Sequence, residues 1–328
     1  MAKVLVSGAI NWDTTCLVEH LPSPGEEVAC SNVSEVPGGT GANAAVAAAR
    51  ILGPGEVALF AALGRDGIAD TQLGILDAEG VSRDSVIRIP GQSSGHAYIF
   101  VDHSGQNVIA SSLGANSALT VRHATQVRLH TLLQQCSCVV VTDPPLAVAS
   151  HLIQAAGGDA PVLWDPGVAA RHGWAALAPL MRYVDSLFLN HVEAGWLFGA
   201  TDPRDIVRTI DLRTAPSHLV LKLGAQGSLL VDFPEGETTE IPALPVAGLG
   251  LEVVSAVGCG DVFIGACAAC LALGHDLRQA LLMASAAAGL NAARPATRGG
   301  PTLALLLDTM RQAQQLGFTL ESTERNTP

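Results

Sequence analysis

The sequence predicts an α/β fold built on a mostly parallel sheet, and three observations lead there. Short apolar runs recur along the chain: 3–9, 56–64, 138–143, 161–167, 186–190 and 218–224. They are continuous rather than alternating, as strands covered on both faces require. Between them lie Ala- and Leu-rich segments with helical spacing: 40–52, 71–79, 146–156, 173–183, 191–198 and 277–293. Strand and helix therefore alternate, the pattern of a parallel sheet. Each strand run closes on Gly, Asp or Asn or, for 3–9, directly after Gly8. Such sheets bind ligands beyond the carboxyl ends of their strands, so these polar closing residues form a candidate site as a group.

Two regions break the pattern. Residues 12–36 and 95–111 alternate polar and apolar side chains around turn signals, with "DHSGQ" (102–106) reading as a hairpin tip. A half-exposed antiparallel sheet fits, either as an ordinary edge sheet or as a small lid. The expected division is a core of 1–11, 37–94 and 112–328, with 12–36 and 95–111 as the β lid.

Composition narrows the function classes. A chain of 328 residues is long enough for a sizeable core. Its net charge of −12 argues against a nucleic-acid or general polyanion binder. No window approaches the length of apolar chain that spans a bilayer, and the amino terminus lacks a signal-peptide pattern. Cys267 and Cys270 lie inside an apolar helical run, so buried thiols are expected there rather than zinc ligands. The expectation is a cytoplasmic protein.

Five stretches carry chemistry, and each also has an ordinary structural reading. "PGGTGANAAVAAA" (37–49) sets Gly38, Gly39 and Gly41 before an Ala-rich helix, with Asn43 in its first turn. Glycines let backbone approach a ligand, and a helix start offers free N–H groups; a tight entry turn would read the same. "INWD" puts Asn11 and Asp13 after the first strand, where a carboxylate suits vicinal hydroxyls or simply caps a turn. "NHVE" pairs Asn190 with Glu193, either as holders of hydrated Mg²⁺ or as a capping arrangement. "LKLGAQGSLL" (221–230) offers Lys222, Gly224 and Gly227 to a nucleotide, or forms a plain hairpin. "SAVGCGDVF" (255–263) sets Gly258, Cys259 and Gly260 as an anion cradle at a helix start. Asp261 follows as the base such chemistry needs, or as a first-turn acid facing the helix dipole.

In this order the stretches resemble the ribokinase (PfkB-type) family of carbohydrate and nucleoside kinases over nearly the whole chain. "GGTGANAA" (38–45), "GRDGIAD" (64–70), "LGAN" (113–116), "NHVE", "VGCGDVF" (257–263) and "RPATRGGPT" (294–302) stand in the places of its motifs. The resemblance implies a three-layer α/β/α kinase with a β-sheet lid, using ATP and Mg²⁺. It implies Asp261 as general base, and Gly258, Cys259 and Gly260 as the anion hole. Asn11, Asp13, Gly38, Gly39, Thr40, Asn43, Tyr98 and Asp143 would contact the acceptor. Asn190, Lys222, Gly224, Gly227, Gly258, Gly260 and Asn291 would contact the nucleotide, with Asn190 and Glu193 holding Mg²⁺ through water. A homodimer through the lid is implied as well.

Three departures matter. Thr40 stands where ribokinases usually carry Lys. Ser255 replaces the Asp that helps bind an activating K⁺ in many members, which argues against strong monovalent-cation activation. "WDPG" (164–167) is similar to archaeal nucleoside kinases. The expected activity is phosphorylation of a small sugar's hydroxyl; the alternatives are a nucleoside kinase, with Trp12, Tyr98 or Phe100 stacking on a base, and a phosphofructokinase-like sugar-phosphate kinase. A dinucleotide-dependent oxidoreductase is disfavoured, because no G-x-G-x-x-G follows the first strand.

Overall fold

A computed structural model describes residues 2–104, 106–156, 160–200, 202, 205–206, 210, 214–294 and 298–320. Nine strands form one sheet: β1 (Val4–Ser7), β4 (Val57–Leu63), β5 (Val81–Arg88), β8 (Cys138–Val141), β9 (Val162–Trp164), β10 (Ser186–Asn190), β11 (His218–Lys222), β12 (Ser228–Asp232) and β13 (Glu237–Ile241). Their order is β13-β12-β11-β10-β9-β8-β1-β4-β5. All neighbours pair in parallel except β11–β12 and β12–β13. From β1 the chain first builds outward through β4 and β5, then returns to β8 on the other side of β1. The order reverses between β1 and β8, which opens a crevice at their carboxyl ends.

Alternation along the strands divides the core in two. Val4 and Val6 face one buried layer and Leu5 the other. On the first face lie α1 (Thr40–Leu52), α2 (Gly67–Ala78), and three helices late in the chain: Cys259–Ala272, Leu277–Ala292 and Leu303–Gln314. On the second lie α3 (Val121–Ala124), α4 (Val127–Gln135), α5 (Leu146–Ala155), α6 (Trp174–Met181) and α7 (His191–Phe198). The late helices are here α8, α9 and α10. The result is the α/β fold with a mostly parallel sheet that the sequence pattern predicts, in the three-layer α/β/α form that the resemblance implies. Cys267 and Cys270 are buried free thiols within α8. Among the described residues no helix is long and apolar enough to cross a membrane.

Four strands form a second sheet, ordered β3-β2-β6-β7: β2 (Asn11–Val18), β3 (Cys30–Gly38), β6 (Gly95–Val101) and β7 (Asn107–Ser112). The two polar-alternating regions thus meet, but β2 and β6 pair in parallel, so the sheet is mixed rather than wholly antiparallel. Asp102 accepts from Ser104 and Gln106 N–H, which closes the β6–β7 connection as a side-chain-braced turn. Strands β5 and β13 carry no continuous apolar run; they are edges of the large sheet, buried on few positions, and escape an apolar-run criterion.

One packing contact positions the site. A Cβ on Gly265 would lie 2.2 Å from the Ala44 carbonyl oxygen. Only glycine there lets α8 lie against α1, and this contact brings the first turns of the two helices side by side.

Candidate functional site

The first cluster of expected residues lies at the crevice. Gly39 precedes α1 with φ 96°, and a Cβ would strike the Ala9 carbonyl oxygen at 2.6 Å. Gly41 packs equally tightly on Gly8. The start of α1 is therefore pressed onto the carboxyl end of β1. Gly38 leaves room for Asp13, whose carboxylate oxygen would lie 2.0 Å from any Cβ placed there. Asp13 is buried on β2 and has no hydrogen-bond partner among the described residues, so its oxygens are available. Burial raises its pKa, opposed by the nearby charges of Arg298 and His96. Asn11 is held by Asn116, whose amide donates to it at 2.9 Å. Asp143 accepts from the Ala9 N–H at 3.0 Å and from the Thr40 hydroxyl.

The anion turn lies across from this cluster. Gly258 caps α8 in a left-handed conformation, φ 75°, so the N–H groups of its first turn open toward the crevice. Asp261 sits in that first turn. The Asn43 side-chain amide donates to Asp261 Oδ2 at 2.8 Å, which joins the acceptor loop to the carboxylate. Burial pushes the Asp261 pKa up to about 7; the Asn43 hydrogen bond opposes this, and the charges of Asp165 and Asp143 add to it. A carboxylate poised near neutrality suits general-base work.

Behind the turn is a cleft of about 330 Å³. It is bounded by the Lys222–Ser228 turn, Leu244, Phe263 and Ala288. A Cβ on Gly227, at φ 88°, would lie 2.1 Å from the Ile241 carbonyl oxygen, so that turn requires glycine. At the edge of the cleft, Lys222 pairs with Asp165. Burial lowers the Lys222 pKa, but Asp165 and Glu193 overcome it and the net shift is upward. Asn190 and Glu193 cap α7 reciprocally: the Asn190 oxygen accepts from Glu193 N–H at 2.9 Å, and Glu193 accepts from Asn190 N–H at 2.8 Å. Glu193 is buried, which raises its pKa; Asp165 adds to the rise and Lys222 opposes it.

The profile of pfkB family carbohydrate kinases matches residues 1–303. The chain is a member of that family. It is 29% identical to the ribokinase of Bacillus subtilis, over 92% of this chain and 96% of that one. It is also 29% identical to the bifunctional ribokinase/ribose-5-phosphate isomerase A of Fructilactobacillus sanfranciscensis; there the match covers 98% of this chain but only 58% of the longer protein. The solved structure of Arabidopsis thaliana ribokinase complexed with ribose and ATP matches at TM-score 0.84 and 25% identity, over 95% of this chain and 99% of that one.

The kinase brings most of the expected residues into one crevice, with corrections at Tyr98 and Asn291 and a side-chain detail at Cys259. Tyr98 stands opposite Thr14, and Asp13 opposite Ala97. Strand alternation therefore puts the Tyr98 ring on the sheet face away from Asp13, where it stacks on His96 at 4.3 Å. Asn291 is fully buried; its amide donates to the Val257 carbonyl at 3.1 Å and its oxygen accepts from Gly299 N–H at 2.7 Å. It braces the anion turn instead of facing a nucleotide. The Cys259 thiol points at α9, toward the Ala288 carbonyl at 3.4 Å, so only its backbone faces the anion position. Burial raises its pKa.

Three residues of the site were not singled out for it. Asp165 is the second residue of "WDPG", and its position directly after a strand was the available signal. Asn116 ends "LGAN" and holds both Asn11 and the Ile10 backbone. Arg298 lies in "RPATRGGPT", a stretch the resemblance covers, but nothing local pointed to its contacts, because its partners are remote in sequence.

Proposed function

We propose that the kinase transfers the γ-phosphoryl group of ATP to a hydroxyl of a small sugar, with Asp261 as general base. The position of Asp261 carries this reading: it lies in the first turn of a glycine-capped helix, bonded to the acceptor loop through Asn43 and backed by the nucleotide cleft. A sugar hydroxyl beside Asp261 gives up its proton to the carboxylate as the oxygen attacks phosphorus. Asp13 accepts hydrogen bonds from neighbouring hydroxyls, and Gly38 and Gly39 bring backbone close to the ring. The N–H groups after Gly258 and the Lys222 ammonium offset charge on the moving phosphoryl group. Lys222 Nζ is well set for this, 3.6 Å from where a Cβ on Gly260 would stand.

The oxygen donors of Glu193, Asn190 and Asp165 fit a hydrated Mg²⁺. When bound, Mg²⁺ would neutralise phosphate charge. Ser255 holds the Val257 N–H at 3.2 Å in place of a cation-binding carboxylate, which supports activity without added K⁺. The four-stranded sheet serves as the lid over the acceptor, excluding water on closing. Its outer face, with exposed Val33, Tyr98 and Val108, fits a second copy of the chain. We place the kinase in the cytoplasm.

The test is ADP release across pentoses, hexoses, hexose phosphates and nucleosides. Turnover with a free sugar is expected. Turnover confined to nucleosides or sugar phosphates would replace the acceptor, and no acceptor-dependent turnover would overturn the reading.

A further inference from the structure

Arg298 is buried, only 6% exposed, and its guanidinium reaches three elements at once. Its Nε donates to the Asn43 side-chain oxygen at 2.9 Å, its Nη2 to the Gly38 carbonyl at 2.7 Å, and its Nη1 to the Gln72 side-chain oxygen at 3.3 Å. A planar guanidinium is the side chain whose fixed donor fan matches three acceptors in this way. Burying a charge is costly unless it is paired and bonded. Burial indeed lowers the Arg298 pKa to about 10, with Asp13, Glu79 and Asp261 opposing.

The segment that delivers it is itself pinned. Arg50 forks onto Glu79 at 2.6 and 2.8 Å. The same guanidinium donates to the carbonyls of Arg298 at 2.6 Å and Gly300 at 2.8 Å. Asn291 holds the Gly299 N–H at 2.7 Å and also the Val257 carbonyl before the anion turn. One short segment thus ties the base of the anion turn to the acceptor loop.

The consequence lies at Asn43. A side-chain amide turned the other way would offer its oxygen, not its N–H, to Asp261. Arg298 takes that oxygen, which fixes Asn43 to donate to Asp261 Oδ2. From this geometry we propose that Arg298 is a positioning residue for phosphoryl transfer. It sets the acceptor loop at Gly38, orients the Asn43 amide toward the base, and adds a positive charge near Asp13 and Asp261, a base that Lys222, Asp143 and Asp165 also face. In this role it acts through Gly38 and Asn43, the groups it bonds. This role rests on the reading of Asp261 as base.

The test compares wild type with Arg298→Met and Arg298→Lys in steady-state kinetics across pH, with ADP-induced thermal shifts as a control for the nucleotide half. For Arg298→Met, kcat/KM for the acceptor is expected to fall about 10- to 100-fold, the range for a misplaced reacting group. The ADP shift should survive. The acid limb of the pH profile should move up by about half a unit or more, because a cation beside two carboxylates is lost. Arg298→Lys restores charge but not the three-way fork. It is expected to return the acid limb to its wild-type position while acceptor KM stays raised about fivefold or more, as a displaced loop predicts. If Arg298→Met does not fold, Arg298→Lys decides alone on that split. Wild-type acceptor kinetics in a folded variant overturn the proposal, as does a pH limb unmoved in Arg298→Met. An inactive wild type would instead overturn the proposed function, so the two failures are distinct.

Discussion

Replacing Asp261 by Asn should remove activity and raise stability together. The isosteric amide keeps an oxygen to accept from Asn43 but cannot take a proton from a hydroxyl. Loss of a positioned base costs on the order of 10²- to 10⁴-fold in kcat/KM. The stability effect follows from the same burial. A free Asp titrates near about 3.9, whereas the folded-state value is about 7. Because folding raises this pKa, the folded protein binds the proton more tightly, and stability falls as pH climbs from the unfolded to the folded value. The linkage gives a loss of about 1.5 kcal/mol at pH 5, growing to about 4 kcal/mol at pH 8 and constant above. An unfolding entropy of about 2.1 cal/mol/K per residue gives roughly 0.7 kcal/mol/K for a chain of this size. Asp261→Asn should therefore melt about 6 °C above wild type at pH 8, and only about 2 °C above it at pH 5. Scanning calorimetry at the two pH values, beside an ADP-release assay, measures both. Wild-type kcat/KM itself should rise with pH through a midpoint near 7, since the base works ionised. An offset in Tm that does not grow with pH would show that the carboxylate ionises freely in the folded protein. Retention of most of the activity would show that another group takes the proton.

Gly227→Ala forces a Cβ against the Ile241 carbonyl oxygen at positive φ; a loss of about 2–4 kcal/mol in urea unfolding and a weakened ADP-induced thermal shift are expected. Alkylation of Cys259 should be slow, because burial raises its pKa. It should be slower still with ATP bound, since the residue lines the cleft; mass spectrometry of the labelled peptide with and without ATP checks both, and equal rates would contradict the assignment of the cleft to the nucleotide. Tyr98→Glu puts a charge on the outer face of the small sheet and should turn a dimer into monomers by sedimentation while leaving kcat within about twofold; a change in acceptor KM instead would mean that the ring reaches the site after all.

How much of the site was legible in sequence depended on how local its signals are. Gly258, Cys259, Gly260 and Asp261 form one helix start, and a Gly-x-Gly-Asp run opening an otherwise uncharged helix offered an anion turn beside its ordinary reading as a first-turn acid. Gly38, Gly39 and Asn43 read similarly, because backbone approach to β1 and to Asp13 demands glycine at those positions. "NHVE" was legible but double-valued, since the capping box and the ion-binding role use the same two side chains in the same geometry. The small sheet was visible as two alternating segments, yet the face each residue presents depends on strand pairing. Thr14 opposite Tyr98 fixes that face, and no segment reveals it alone. Arg298 marks the limit most sharply. Its three acceptors lie at positions 38, 43 and 72, more than two hundred residues away, and the flanking "TRGG", although it lies in a stretch the resemblance covers, says nothing of which oxygens the arginine reaches. A buried arginine becomes readable only once the fold supplies the oxygens that justify its burial. On the proposed reading, the groups that perform the chemistry are therefore written in short motifs, and the group proposed to align them is written in the topology.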